Sequence, residues 1–138
     1  MKVLMIEPEK TAYEAEIGNG LEDMQKAVGG YIEAVYPYDE LVAIVCNEEG
    51  KNEGLPLNRA LRDEHGKIYD IVAGKFFICG LGEDNFTSLS PELMEQFKEK
   101  FRDPEIFTRF SGQIYAKKVT EQYIDAQKRL KERNNNGR

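Results

Sequence analysis

Residues 19–46 read Asn19-Gly20-Leu21-Glu22-Asp23-Met24-Gln25-Lys26-Ala27-Val28-Gly29-Gly30-Tyr31-Ile32-Glu33-Ala34-Val35-Tyr36-Pro37-Tyr38-Asp39-Glu40-Leu41-Val42-Ala43-Ile44-Val45-Cys46, and this stretch decides the fold class. Asn19 can cap a helix whose capping box is completed by Glu22, with Leu21, Met24 and Val28 on one face and Gly29-Gly30 as the stop. Residues 31–36 and 41–46 then turn to β-branched and aromatic side chains, split by the turn formers Pro37-Tyr38-Asp39-Glu40. A short helix followed by two short strands, with no regular strand–helix–strand repeat around it, predicts an α+β domain with a mainly antiparallel sheet.

The flanks agree. Residues 2–6 read as a buried first strand stopped by Glu7-Pro8-Glu9-Lys10, and residues 12–17 alternate apolar with Glu14 and Glu16, so the two predict a hairpin. Asn47-Glu48-Glu49-Gly50 is a turn, residues 57–61 predict one helical turn, and residues 68–73 and 75–79 predict strands joined at a bulge or tight bend at Gly74. Ser90-Pro91-Glu92 opens a second helix with the apolar stripe Leu93, Met94, Phe97 and Phe101, ended by Asp103-Pro104. Residues 107–110 and 113–116, joined by Ser111-Gly112, predict a last hairpin. From Lys117 the pattern is helical again, with Val119, Tyr123, Ala126 and Leu130 in one stripe and Asp125/Arg129 and Lys128/Glu132 four apart. The expected organisation is a single α+β domain over residues 1–116 with two short helices, then a C-terminal amphipathic helix over 117–138 whose end, from Asn134, frays.

Composition bounds the function. The chain has 138 residues, 41% hydrophobic and 32% charged, which suits one globular domain with a real core. Cys46 and Cys79 each end an apolar run and are expected as small buried hydrophobes, with no disulfide framework or zinc site. The opening residues reach Glu7 after four apolar positions, too few for a signal-peptide core or a membrane span, so a cytoplasmic protein with no membrane partner is expected. Seven Lys/Arg against three acids give residues 117–138 a charge of +4, which leaves −10 on residues 1–116. An acidic body repels phosphate backbones, so it is not expected to bind nucleic acid; the basic tail leaves that question open for the C-terminus.

Four segments together resemble a known family. They are residues 21–33, Asn47-Glu48-Glu49-Gly50-Lys51, Gly54-Leu55-Pro56-Leu57-Asn58-Arg59 and residues 71–80, in the order helix, Gly-Gly, strand, acidic turn, Leu-Pro-x-Asn, and Gly before an apolar strand. The pattern is similar to the DUF3846-like proteins of phages, plasmids and conjugative elements of gut Firmicutes and actinobacteria. It covers about residues 1–115 and leaves the charged helix outside. The resemblance implies a mobile-element setting and carries no catalytic residue with it.

Candidate chemistry is sparse. His65, the only histidine, lies between Glu64 and Gly66 in a turn, which excludes a histidine-based triad and a multi-histidine metal site. Gly80-Leu81-Gly82 runs into Glu83-Asp84, whose charge opposes a phosphate. Glu48 and Glu49 lack the alternating oxygens of a calcium loop. Asp70, between Tyr69 and Ile71, reads as a buried carboxylate, either an acid/base or the partner of an arginine. The most suggestive piece is Asn58, Arg59 and Arg62: on a helical turn opened by Pro56 the two arginines form a fork able to grip a carboxylate or phosphate, unless internal acids take them.

The expected function is a non-enzymatic binding protein of a phage or mobile element, with Asn58, Arg59, Arg62 and Asp70 as ligand residues and no cofactor or metal. Its target is a host small molecule, a nucleotide-type signal among the options, or a host protein, with an anti-defence role open. Alternatives are a DNA-mimicking inhibitor of a host enzyme and a small metal-dependent hydrolase using Asp70 with Glu48 or Glu49. The stripe Val119, Tyr123, Ala126 and Leu130 is the expected seam of a homodimer.

Overall fold

The computed structural model describes residues 1–136. The elements run β1 (Lys2–Ile6), β2 (Tyr13–Glu16), α1 (Leu21–Val28), β3 (Ile32–Val35), β4 (Val42–Asn47), β5 (Leu57–Arg62), β6 (Ile68–Ala73), β7 (Phe76–Leu81), β8 (Phe86–Thr87), α2 (Pro91–Phe101), β9 (Glu105–Phe110), β10 (Gln113–Lys118) and α3 (Glu121–Asn136). This is α+β with antiparallel sheets. The main sheet has the order β2-β1-β7-β4-β3, and β8 continues beside β7.

The three central strands are apolar at nearly every position because both of their faces are covered. Val3, Met5, Ala43, Val45, Phe77 and Cys79 face Met24 and Val28 of α1. Leu4, Ile6, Val42, Ile44, Phe76 and Ile78 face Met94, Phe97 and Phe101 of α2, together with Leu61 and Val72. Leu61 belongs to β5 and Val72 to β6, so the second hairpin shares that layer with α2. The edges follow the opposite rule: β2 alternates Glu14 and Glu16 outward, which blunts it as a template for further strands.

Three local expectations need correction. Gly20, not Asn19, occupies the N-cap of α1, and no side chain caps it, because the helix starts one residue later than a capping box requires. Residues 57–61 are strand rather than a helical turn: β5 pairs antiparallel with β6, and the register slips between Leu57 and Arg59. At that bulge Asn58 and Arg59 are both buried, where a regular strand would send them to opposite faces. The C-terminal helix continues through Asn136, so Asn134 is helical; the expected fraying at 137–138 lies outside the described residues.

The last hairpin has the two-residue turn that its sequence predicts, with φ of 51° at Ser111 and 78° at Gly112. α3 then returns to its own domain. Ile124 is buried, Glu121 accepts from the Thr11 N–H at 2.7 Å, and Lys128 reaches Glu9 at 3.1 Å. Val119 precedes the helix and is half-buried, while Tyr123 and Leu130 are 47% and 49% exposed. The α3 residue that packs on the domain is thus Ile124, which lies beside the expected stripe rather than in it. Among the described residues no helix is long and apolar enough to cross a membrane.

Candidate functional site

The expected arginine fork is an internal clamp. Arg59 is 1% exposed. Its Nε and Nη2 donate to the Phe101 carbonyl at 3.2 and 3.1 Å, Nη2 also donates to the Lys10 carbonyl at 2.7 Å, and Nη1 donates to Asn58 Oδ1 at 2.9 Å. Asn58 directs its amide to the Ile6 and Gly74 carbonyls, at 3.0 and 2.8 Å. Burial pulls the Arg59 guanidinium down to about 10, against the upward pull of Glu105 and Asp103, so it stays charged at neutral pH. Arg62 pairs with the buried Glu105, whose other oxygen accepts from the Ala60 N–H at 3.1 Å. These three residues hold β5 to the β1–β2 loop, the end of α2 and the start of β9. Asn58 and Arg59 are buried at 1% exposure, while Arg62 keeps a quarter of its side chain exposed.

Asp70 is the exception to this inward turn. It is half-exposed, not buried, and pairs with Lys51 rather than with an arginine. Its Oδ1 also accepts from the Ile71 N–H at 2.8 Å, so the carboxylate is held in place from two sides.

Lys51, Asp70 and Ile71 stand between two depressions. The smaller, about 240 Å³, lies against β3 and β4 and is lined by Glu33, Cys46, Glu48 and Val72 as well as by that trio. It joins Asp70 and Glu48, as the hydrolase alternative requires, but Asp70 is already bound by Lys51 and main chain. Burial, with Glu33 and Asp70 adding to it and Lys51 opposing, pushes the Cys46 thiol up to about 11, so it is a poor nucleophile at neutral pH. Among the described residues no group of three or more His, Cys, Asp or Glu is arranged to hold a metal.

The larger depression, about 780 Å³, is an open groove between the β5–β6 and β9–β10 hairpins. Its charged walls are Lys51, Lys67, Arg109 and Asp70, and its apolar surface comes from Leu55, Leu57, Ile68, Ile71 and Ile114. Tyr69, 53% exposed, stands among them. Partial burial, then Asp70 and Asp63, raise the Tyr69 hydroxyl above its ordinary pKa, which keeps it a neutral donor. Among the described residues neither Lys67 nor Arg109 has an ion-pair partner.

Of the expected ligand residues only Asp70 reaches this groove. The missed ones are Lys51, Lys67, Tyr69 and Arg109. A signal for Arg109 existed: the Ser111-Gly112 turn pairs Arg109 with Ile114, which sets both on one face of the hairpin. No local signal marked Lys51, because its role depends on where the 48–54 loop lies against β6.

Searches among curated proteins and solved structures find no match to the chain. The sequence model of the family described as "Domain of unknown function (DUF3846)" matches residues 1–102, which span β1 to the end of α2 with Asn58, Arg59 and the main sheet inside them. The chain belongs to the DUF3846 family.

Proposed function

We propose that this protein captures a small anionic molecule carrying an aromatic ring, of nucleotide type, in the groove between the β5–β6 and β9–β10 hairpins. One observation carries the reading: in a chain of net charge −6, the groove gathers Lys51, Lys67 and Arg109 around an exposed Tyr69 ring, with Asp70 the one acid among them. Lys67 and Arg109, without ion-pair partners among the described residues, suit a phosphate or carboxylate, and the tyrosine face suits a base. A volume of about 780 Å³ is of the size that small-molecule sites have. Capture rather than conversion is favoured because Asp70, the groove's own carboxylate, already accepts from Lys51 and from the Ile71 N–H.

On this reading the protein works in the cytoplasm of a cell carrying a phage or other mobile element, and sequesters a host signal to blunt a defence response. The family resemblance supports that setting. One wall of the groove, β9–β10, lies beyond the residues that the family model matches, while Lys51, Lys67, Tyr69 and Asp70 lie within them.

The test is mass spectrometry of small molecules released by heating the purified protein. The wild type should release a phosphorylated or carboxylated aromatic compound that the double variant Tyr69→Ala, Arg109→Glu does not retain. Equal release from both proteins would refute the groove.

A further inference from the structure

The outer face of the β9–β10 hairpin and the exposed side of α3 form one apolar surface, and we infer that it is covered by the same surface of a second copy, with the two α3 helices antiparallel. The surface meets the ligand groove at Gln113, but none of the residues altered in the experiment below lines the groove, so the two readings stand or fall separately.

Strand register places Ile106, Thr108 and Phe110 on one face of the hairpin with Lys117, Tyr115 and Gln113 opposite them. That face looks away from the domain: Phe110 is 69% and Tyr115 51% exposed. α3 extends it. Ile106, Thr108, Tyr115, Val119 and Tyr123 together line a dimple of about 150 Å³, a volume that accepts a group as large as benzene. Two helical turns past Tyr123, on the same stripe, stands Leu130. Ile124 fastens α3 to its own domain and so turns Tyr123 and Leu130 outward.

The charges of α3 name the occupant. Asp125 lies in the first half of the helix, and Arg129, Lys131 and Arg133, with Glu132 among them, lie in the second. A parallel neighbour would set like against like. A two-fold axis near Gln127 instead brings Asp125 against Arg129 of the partner subunit, and Tyr123 with its dimple against Leu130 of the partner subunit, while Glu121 stays on the Thr11 N–H of its own domain. The same patch serves both copies, as an isologous interface requires. Opposite charges at the flanks of an apolar seam fix helix orientation.

The experiment is native mass measurement of the full chain at tens of micromolar. The wild type should have twice the chain mass of 15.8 kDa. Asp125→Arg sets arginine against arginine at both symmetry-related contacts, and Arg129→Asp sets aspartate against aspartate. Each variant alone should be monomeric, with a dissociation constant raised about tenfold or more. An equimolar mixture of these two should recover the dimer, because an acid then faces a base again at both contacts. Leu130→Asp should be monomeric and stay so when mixed with either. All three positions lie at or near the surface, and an unchanged melting temperature of each variant confirms that its fold is intact. A monomeric wild type, a dimer that none of the variants weakens, or a charge-swapped mixture that stays monomeric would overturn the antiparallel pairing.

Discussion

Arg59 and Phe101 are joined at the C-terminal end of α2: the guanidinium donates through Nε and Nη2 to the Phe101 carbonyl, at 3.2 and 3.1 Å. A helix ends with carbonyls that have no partner inside it, and a buried cation there also meets the negative end of the helix dipole. The same side chain reaches the Lys10 carbonyl at 2.7 Å, so one residue ties β5, the loop after β1 and α2 together. Arg59→Ala should lower unfolding free energy by about 3 kcal/mol or more, since it leaves buried carbonyls without donors. Arg59→Lys should recover only part of that loss, because a single ammonium cannot span the same acceptors. Urea unfolding checks both; an alanine variant as stable as wild type would contradict the clamp.

Gly74 links β6 to β7 with φ of +80°, and a Cβ there would stand 2.7 Å from Leu55 Cδ1. Gly74→Ala therefore meets both backbone strain and a close contact in the loop that borders the groove. The expected cost is about 1–2 kcal/mol, read by thermal or urea unfolding. An alanine at Gly66, also at positive φ but with open space around it, should cost less than at Gly74.

Cys46 should be slow to alkylate. With its pKa raised from 9.0 to about 11, its thiolate fraction at pH 8 is about a hundredfold below that of an ordinary thiol, and iodoacetamide labelling should slow in proportion. The stability consequence has a definite sign. A thiol whose folded pKa is raised keeps its full contribution below about pH 9 and loses it as pH rises through about 11; Cys79, pushed up to about 12 by burial, extends the window. Unfolding midpoints should fall between about pH 9 and 12. Fast labelling of Cys46 at pH 8 in the folded protein would contradict this environment.

The antiparallel α+β architecture was legible because burial on both faces of β1, β4 and β7 leaves a plain trace, unbroken apolar runs between turn formers. The helix start at Ser90 was legible for the same local reason: its side chain accepts from the Leu93 N–H at 3.2 Å. Residues 57–62 mislead because Pro56 followed by Leu, Asn, Arg and Ala satisfies helix-start rules, while the bulge that makes them strand is set by pairing with β6, a tertiary event. That difference moves the site. Arg59 stands out in the sequence as a free fork, but the carbonyls that consume it belong to residues 7–10 and 101, far away in the chain. The groove is assembled from separate segments: Lys51, Leu55 and Leu57 fall in the family's motifs, but Lys67, Tyr69, Asp70 and Arg109 fall in none, and only the fold brings them together. Ile124 escapes notice because Val119, Tyr123, Ala126 and Leu130 fit the helical period better than the face α3 in fact buries.

The groove is tested most directly by following backbone amide resonances of the uniformly ¹⁵N-labelled protein while adenosine, guanosine, cytidine and uridine monophosphates are added one at a time. Saturable shifts should centre on Lys67, Tyr69, Asp70, Arg109 and Ile114 for at least one nucleotide, and should vanish in the Tyr69→Ala, Arg109→Glu variant with the rest of the spectrum intact. Spectra that no nucleotide perturbs, or shifts centred on the β3–β4 cleft and unchanged in that variant, would contradict the assignment of the groove as the binding site.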